Sequence, residues 1–255
     1  MVLQRGQRMS KIPFYIGNFL AMFTPGGERR AYVRGHVNTI LYTPRIKALI
    51  KRVYNEKVTK IVFERQINLN RFVCVANDKY YVKVFRNISL QRLQEHKFLV
   101  DLVRPHLSVT VPDMYIDKHV PMYVSKKIDG RRADRFDDAF ILQNEEKLKE
   151  QVAKVIKEIQ SIDIDSIPDN QRFLYGLQPE RQKEKELAPG KKVKPVLAHF
   201  DLNESNLFCD EEMNITGVID WDTLSIAKNP DTDMNVFMLF WTRFRGHVAR
   251  RLKEN

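Results

Sequence analysis

Cysteine is scarce: the 255 residues hold only Cys74 and Cys209, each inside an apolar run. With no paired spacing and no Cys/His ligand cluster, neither a disulfide framework nor a zinc site is implied. A reducing, cytoplasmic setting is expected. Long hydrophobic runs are missing too. The longest near the N-terminus, residues 12–23, is broken by Pro13, Gly17 and Asn18 and is too short to span a bilayer, so no transmembrane span is expected. Arg5, Arg8 and Lys11 precede it as in a signal peptide, yet no A-x-A-like cleavage site follows. Glycine is sparse, and none falls in the loop of residues 65–70 between two predicted strands. That absence counts against a protein kinase, whose glycine-rich loop lays its backbone over the nucleotide phosphates.

Acidic charge is the last shortage, and it is local. Residues 1–60 hold twelve Lys and Arg against Glu28 and Glu56, so +10 of the net +11 lies there and the rest of the chain is nearly neutral. Such asymmetry implies either an anionic partner or surface for this part of the chain or a solvated basic face.

What is present centres on His199-Phe-Asp-Leu-Asn-Glu-Ser-Asn206 and, further on, Val218-Ile-Asp-Trp-Asp222. An Asp and an Asn five positions apart, then an Asp beyond a short apolar strand, supply a candidate base, Asp201, and two hard oxygen ligands, Asn206 and Asp220. Mg²⁺ prefers such oxygens to nitrogen or sulfur. The order is that of the catalytic-loop Asp, metal-binding Asn and metal-binding Asp of kinases. Singly, these residue types commonly cap turns; together, with a strand lysine upstream, they point to phosphoryl transfer.

His199-Phe-Asp-Leu-x-x-x-Asn206, Gly217-Val-Ile-Asp-Trp221 and Asn229-Pro-Asp-Thr-Asp233 resemble the aminoglycoside phosphotransferase and choline kinase family, whose usual strings are HGDLHxxN, GxIDW and GDPxxD. Trp221 stands where ordinary protein kinases carry Phe-Gly. Phe200 replaces the common Gly and Asn203 the common His, and neither change removes a charged group. The resemblance implies an α+β, bilobal, kinase-like fold with an antiparallel-sheet N-lobe and a mainly helical, short C-lobe. It also assigns roles. Asp201 would orient the acceptor hydroxyl and take its proton, Asn206 and Asp220 would hold Mg²⁺, and ATP or GTP would be the donor. His199 would brace the loop and Asp233 tie it down.

Residues 1–42 form a basic segment with β-like runs at 30–34 and 39–42, and Thr43-Pro44 is a helix start by capping hydroxyl and first-turn proline. The N-lobe is placed at 43–125 and the C-lobe at 126–255. Strand periodicity covers 61–64, 71–75 and 80–85, with a turn at Asn77-Asp78. Lys83 in Tyr-Val-Lys-Val fits the phosphate-neutralising strand lysine, the alternative being a solvent-facing lysine. Ser89 caps a helix to about residue 103, on which Glu95 would pair with Lys83 or simply lie exposed at the edge of the apolar stripe. Leu69-Asn70 partly matches the family's Ser-Asn, which gives Asn70 a phosphate contact. Ser125, Lys126 and Ile128, ahead of Gly130, take the place of the inter-lobe hinge, whose backbone meets the base.

Residues 145–160 read as a helix and 180–186 as a solvated helical face; about twenty residues follow Asp233, enough for one or two helices, at 234–241 and then 243–253. Glu204, Asp222 and Asp231 would either attract a cationic acceptor or support the metal site. The function expected is transfer of a γ-phosphate to a hydroxyl of a small molecule: an aminoglycoside, a choline-like amino-alcohol or a sugar. A pseudokinase or nucleotide-binding scaffold is the alternative, and a protein kinase is disfavoured by Ile-Asp-Trp and the lack of an A-P-E-like segment.

Overall fold

The structure, a computed structural model, describes residues 16, 19–22, 27–63, 71–169 and 194–254. The chain divides into two compact units, residues 1–94 with 113–127 and residues 95–112 with 128–255.

The first unit is an antiparallel sheet backed by a helix. β1 (Ile61–Phe63), β2 (Arg71–Ala76), β3 (Tyr80–Phe85), β4 (Tyr115–Ile116) and β5 (Met122–Lys126) lie in the order β1-β2-β3-β5-β4. Side chains alternate along β2 and β3, as a sheet packed on one face requires. Phe72, Cys74, Ala76, Val82 and Val84 point inward and meet Tyr42, Ile46, Leu49 and Ile50 of α1 (Gly27–Tyr54). The β2–β3 turn places Asn77 and Asp78 at φ 51° and 57°, left-handed geometry that Asn and Asp tolerate best after glycine and that suits a tight hairpin. Asn77 Oδ1 also accepts from the backbone N–H groups of Thr59 and Lys60, at 2.9 and 3.2 Å.

α1 corrects the reading of residues 27–42. The runs at 30–34 and 39–42 are helical, and Thr43-Pro44 lies inside the helix rather than at its start. Helix spacing wins because Asn38, Tyr42, Ile46, Leu49 and Ile50 fall on one buried face against the sheet. Pro44 is tolerated because it sits on the exposed face with Ile40, whose orphaned carbonyl can take water.

In the second unit, α2 (Leu90–Val103) begins where Ser89 Oγ accepts the Arg92 N–H at 3.0 Å, the cap expected; its first residues, to Gln94, belong to the first unit. β6 (Arg131–Arg132), β8 (Leu207–Cys209) and β9 (Ile215–Val218) form one small sheet, and β7 (Val196–Ala198) pairs with β10 (Ser225–Ala227) in another. α3 (Asp138–Gln143) and α4 (Glu145–Gln160) pack with α5 (Thr232–Glu254). α4 buries the stripe Leu148, Val152, Val155, Ile156 and Ile159. Of the one or two helices expected after Asp233, α5 is a single one, because no proline interrupts it and Val236, Phe237, Trp241 and Val248 keep a continuous buried face. Gly130 enters β6 at φ +103°, and a Cβ there would meet the Cys209 carbonyl oxygen at 2.5 Å, so only glycine fits. Both cysteines are buried and free, and burial pushes the Cys209 thiol up to about 12. The helical reading of 180–186 lies outside the described residues. Among those described, no helix is long and apolar enough to cross a membrane.

Candidate active site

The loop after β7 is fixed by α5. Asp233, fully buried in the first turn of that helix, accepts the His199 N–H on one carboxylate oxygen at 2.8 Å and the Phe200 N–H on the other at 2.7 Å. The positive end of the helix favours a carboxylate there. Gln160, at the end of α4, donates to the Pro230 carbonyl at 2.6 Å and steadies the same corner. Asp233 thus ties the loop down.

Phe200 explains its own departure from the usual glycine. Its φ of 64° is the conformation that favours glycine, at a cost of about 1–2 kcal/mol for another residue. The side chain is buried against Ala198, Ala227 and Val196, and full burial of a phenylalanine returns roughly 1.5–3 kcal/mol. Asn203, in place of His, serves the loop by donating to the Asp201 carbonyl at 2.8 Å and accepting from the Ser205 N–H at 3.0 Å.

His199 is a brace. Its Nδ1 accepts the Asp201 N–H at 3.2 Å and its Nε2 donates to the Ile219 carbonyl at 3.1 Å, which fixes the neutral tautomer. Its ring meets Trp221 edge-on at 4.6 Å. Burial pushes its pKa below the ordinary histidine value, against the pull of Asp233, Asp201 and Asp220. The unfolded chain therefore takes up a proton near pH 6.5 that the folded chain refuses. Stability is full above that value and falls as pH drops below it, by up to about 1.4 kcal/mol per pH unit from this group. Denaturant titrations from pH 8 to 5.5 should show the fall, and His199→Asn should flatten it; an unchanged profile in the variant would count against the buried neutral imidazole.

Three sequence-predicted site residues are brought together. Asn206 Nδ2 donates to the Asp201 carbonyl at 2.8 Å and approaches Asp201 Oδ2 at 3.4 Å, which turns its Oδ1 away as the atom able to ligate a cation. The Asn206 carbonyl accepts the Ile219 N–H at 3.0 Å, setting Asp220 one residue beyond the point where the two strings join. Asp220 adopts φ 61° and ψ 50° as the N-cap of the turn Trp221–Thr223. Thr223 Oγ1 returns to the His199 carbonyl at 2.6 Å. Asp201 is only 3% exposed.

Sequence reasoning missed His96. It lies on the α2 stripe of Leu93, Val100 and Val103, all fully buried, and a histidine in such a stripe needs a partner. Its Nε2 donates to the Trp221 carbonyl at 2.9 Å, holding the turn that carries Asp220. His96→Leu leaves that carbonyl unpaired at a cost of about 1–3 kcal/mol. It should also raise the Mg²⁺ concentration needed for half-maximal nucleotide binding, with His96→Gln restoring much of it. Lower stability with an unshifted Mg²⁺ requirement would reduce His96 to packing.

Among the described residues, no group of three or more His, Cys, Asp or Glu could hold a metal by itself. One carboxylate and one amide oxygen nonetheless suit Mg²⁺ arriving with a nucleotide, because that ion keeps waters and phosphate oxygens as its other ligands. Of the acidic residues nearby, Asp222 is buried and Asp231 exposed, while Glu204 is half-buried with one oxygen enclosed and without a hydrogen-bond partner. Burial pushes the Glu204 carboxyl up, helped by Asp134 and opposed by Arg132.

The nucleotide-side residues divide between the units. Lys83 pairs in register with Tyr123, its ammonium 5.9 Å from that ring. Ser125 and Lys126 extend β5 past Val124, the last residue paired with β4, so among the described residues no strand covers that side of them. The Lys126 ammonium lies 5.5 Å from the Tyr54 ring. These three belong to the first unit, and Glu95 and Ile128 to the second. Ile128 is buried beside Gly217, where an added Cβ would sit 2.6 Å from it. Asn70 lies outside the described residues.

Residues 175–252 match the family model described as the phosphotransferase enzyme family. The match takes in all three motif strings, so the family read from them is borne out for that part of the chain. No curated protein is detectably similar in sequence. Among solved structures, macrolide 2'-phosphotransferase MphH of Brachybacterium faecium is 17% identical, aligning 80% of this chain with 82% of its own at a TM-score of 0.55. The streptomycin–ATP ternary complex of APH(2")-IIa is 19% identical over 74% of this chain and 73% of that one, with a TM-score of 0.52. Aminoglycoside phosphotransferase APH(3'')-Id of Streptomyces rimosus is 14% identical over 82% and 89%, at 0.53. These likenesses show the fold: an α+β, kinase-like chain with an antiparallel-sheet unit and a mainly helical unit.

Proposed function

We propose, from the phosphotransferase-family match of residues 175–252, that this chain transfers the γ-phosphate of ATP or GTP to a hydroxyl group of a small molecule. The observation that carries the reading is the clamp of Asp233 on the His199 and Phe200 N–H groups. It rigidifies the loop presenting Asp201 and Asn206, and positioning of this kind is most of what a phosphoryl-transfer site must do. Asp201 orients the acceptor hydroxyl and takes its proton as the hydroxyl oxygen bonds to the γ-phosphorus and the β,γ-bridging P–O bond breaks. Asn206 and Asp220 would hold Mg²⁺, which when bound supplies positive charge to the phosphate oxygens. Lys83 adds charge on the nucleotide side and Glu95 holds it in place. Ser125, Lys126 and Ile128 meet the base through their backbone, and Asn70 contacts phosphate.

The acceptor class is an aminoglycoside, a choline-like amino-alcohol or a sugar, in a cytoplasmic setting. An acceptor carrying an amine is favoured by the acidic residues of the motif strings, Glu204 and Asp231 among them. The test is ADP or GDP release over a panel of aminoglycosides, macrolides, amino-alcohols and sugars. Mg²⁺-dependent nucleotide binding with no turnover on any acceptor would leave a nucleotide-binding scaffold instead.

A further inference from the structure

Half of the exposed large apolar side chains among the described residues fall at positions 16–41: Ile16, Phe19, Leu20, Met22, Ile40 and Leu41. Phe19 is 60% exposed, Met22 72% and Ile40 60%. The same part of the chain carries the charge excess, +10 in residues 1–60. The two features meet on α1. At 100° per residue, Ile40, Leu41, Arg45, Lys47 and Lys51 occupy one arc of the helix, all exposed, opposite the buried Tyr42, Ile46, Leu49 and Ile50. Cations alone would suit any polyanion. Exposed aliphatic and aromatic side chains among them gain nothing in contact with phosphates and solvent, but they gain free energy by entering the acyl boundary beneath anionic headgroups.

We propose that this basic and apolar face of α1 is a docking surface for an anionic lipid bilayer. The chain would lie on the membrane rather than span it. Arg45, Lys47 and Lys51 meet headgroup phosphates and carboxylates, while Ile40 and Leu41 enter the interface. None of the proposed nucleotide or Mg²⁺ residues lies on α1, so docking and catalysis can be tested apart. Truncation after residue 42 is not a usable test, because it would cut α1 and remove the buried Asn38 and Tyr42.

The experiment uses the full chain and flotation with vesicles of phosphatidylcholine, alone or with 30% phosphatidylserine as an arbitrary test composition at roughly physiological salt, repeated across a salt series. Binding to the anionic vesicles only, weakening with salt, is the expected result. Arg45→Gln with Lys47→Gln should weaken it by roughly thirtyfold, at about fivefold per cation near the surface. Ile40→Ser with Leu41→Ser should weaken it at every salt concentration, since apolar burial is not screened. Unfolding temperature and Mg-nucleotide titration of both variants serve as controls for folding. Equal binding to neutral vesicles, or no binding to anionic ones, would overturn the proposal. So would binding to heparin or RNA that exceeds vesicle binding and ignores the Ile40 and Leu41 changes, which would assign the face to a polyanion.

Discussion

Asp220→Asn should abolish the Mg²⁺-dependent part of nucleotide stabilisation. Asparagine is close to isosteric and, like aspartate, accepts the left-handed backbone that Asp220 adopts at φ 61°. The substitution therefore removes charge with little strain. What is lost is the one carboxylate of the proposed Asn206 and Asp220 ligand pair. A ligand at a hundred times its dissociation constant stabilises a fold by about 2.7 kcal/mol, and the Mg²⁺-dependent share of that gain should vanish. Thermal unfolding with ATP or GTP, with and without Mg²⁺, measures it. A variant that kept the full Mg²⁺-dependent shift would exclude Asp220 as a metal ligand. Its unfolding temperature without ligand should stay close to that of the parent, because the turn is held independently by His96 on the Trp221 carbonyl and by Thr223 on the His199 carbonyl.

Asp201→Asn should separate binding from turnover. The Asp201 backbone ties the loop together: its carbonyl accepts from Asn203 and Asn206, and its N–H donates to His199. The loop should therefore keep its shape, and Mg-nucleotide should bind with little change. Removal of a general base costs roughly 10²–10⁴ in rate. That loss should appear in kcat and in kcat/KM alike, as expected for an interaction made only as the acceptor hydroxyl attacks. Turnover at the parent rate would remove Asp201 from the chemistry. Loss of nucleotide binding as well would mean that the carboxylate shapes the loop, and the two outcomes are separated by the same titration.

Wherever a local pattern and the tertiary packing agreed, the sequence was sufficient. The alternation along β2 and β3, the Asn77-Asp78 hairpin, the Ser89 cap and the α4 stripe each follow from nearest-neighbour sterics and a one-sided core, and the structure shows all four. The three motif strings pointed to the phosphotransferase family, whose model matches residues 175–252, and the fold which that resemblance implied is the one the solved structures share, because residue types and order are read directly from the chain. The N-terminal part was misread because β-branched and aromatic residues at 30–34 and 39–42 and the Thr-Pro pair at 43–44 are local signals. A sheet face wide enough to bury Tyr42, Ile46, Leu49 and Ile50 overrode them.

How the strings become a site was legible only in part: the resemblance implied that Asp233 ties the loop and His199 braces it, but not which atoms they bind, and it gave no role to His96. Asp233 reaches back more than thirty positions to the His199 and Phe200 N–H groups, and His96 reaches forward more than a hundred to Trp221. Such bonds have no spacing rule in one dimension, since each depends on a buried donor or acceptor that only the folded chain brings within range. The sequence by itself determined which groups could carry phosphoryl chemistry and the local elements that bear them. Only the tertiary structure decided which backbone atoms those groups must satisfy, and hence which side chains position the site.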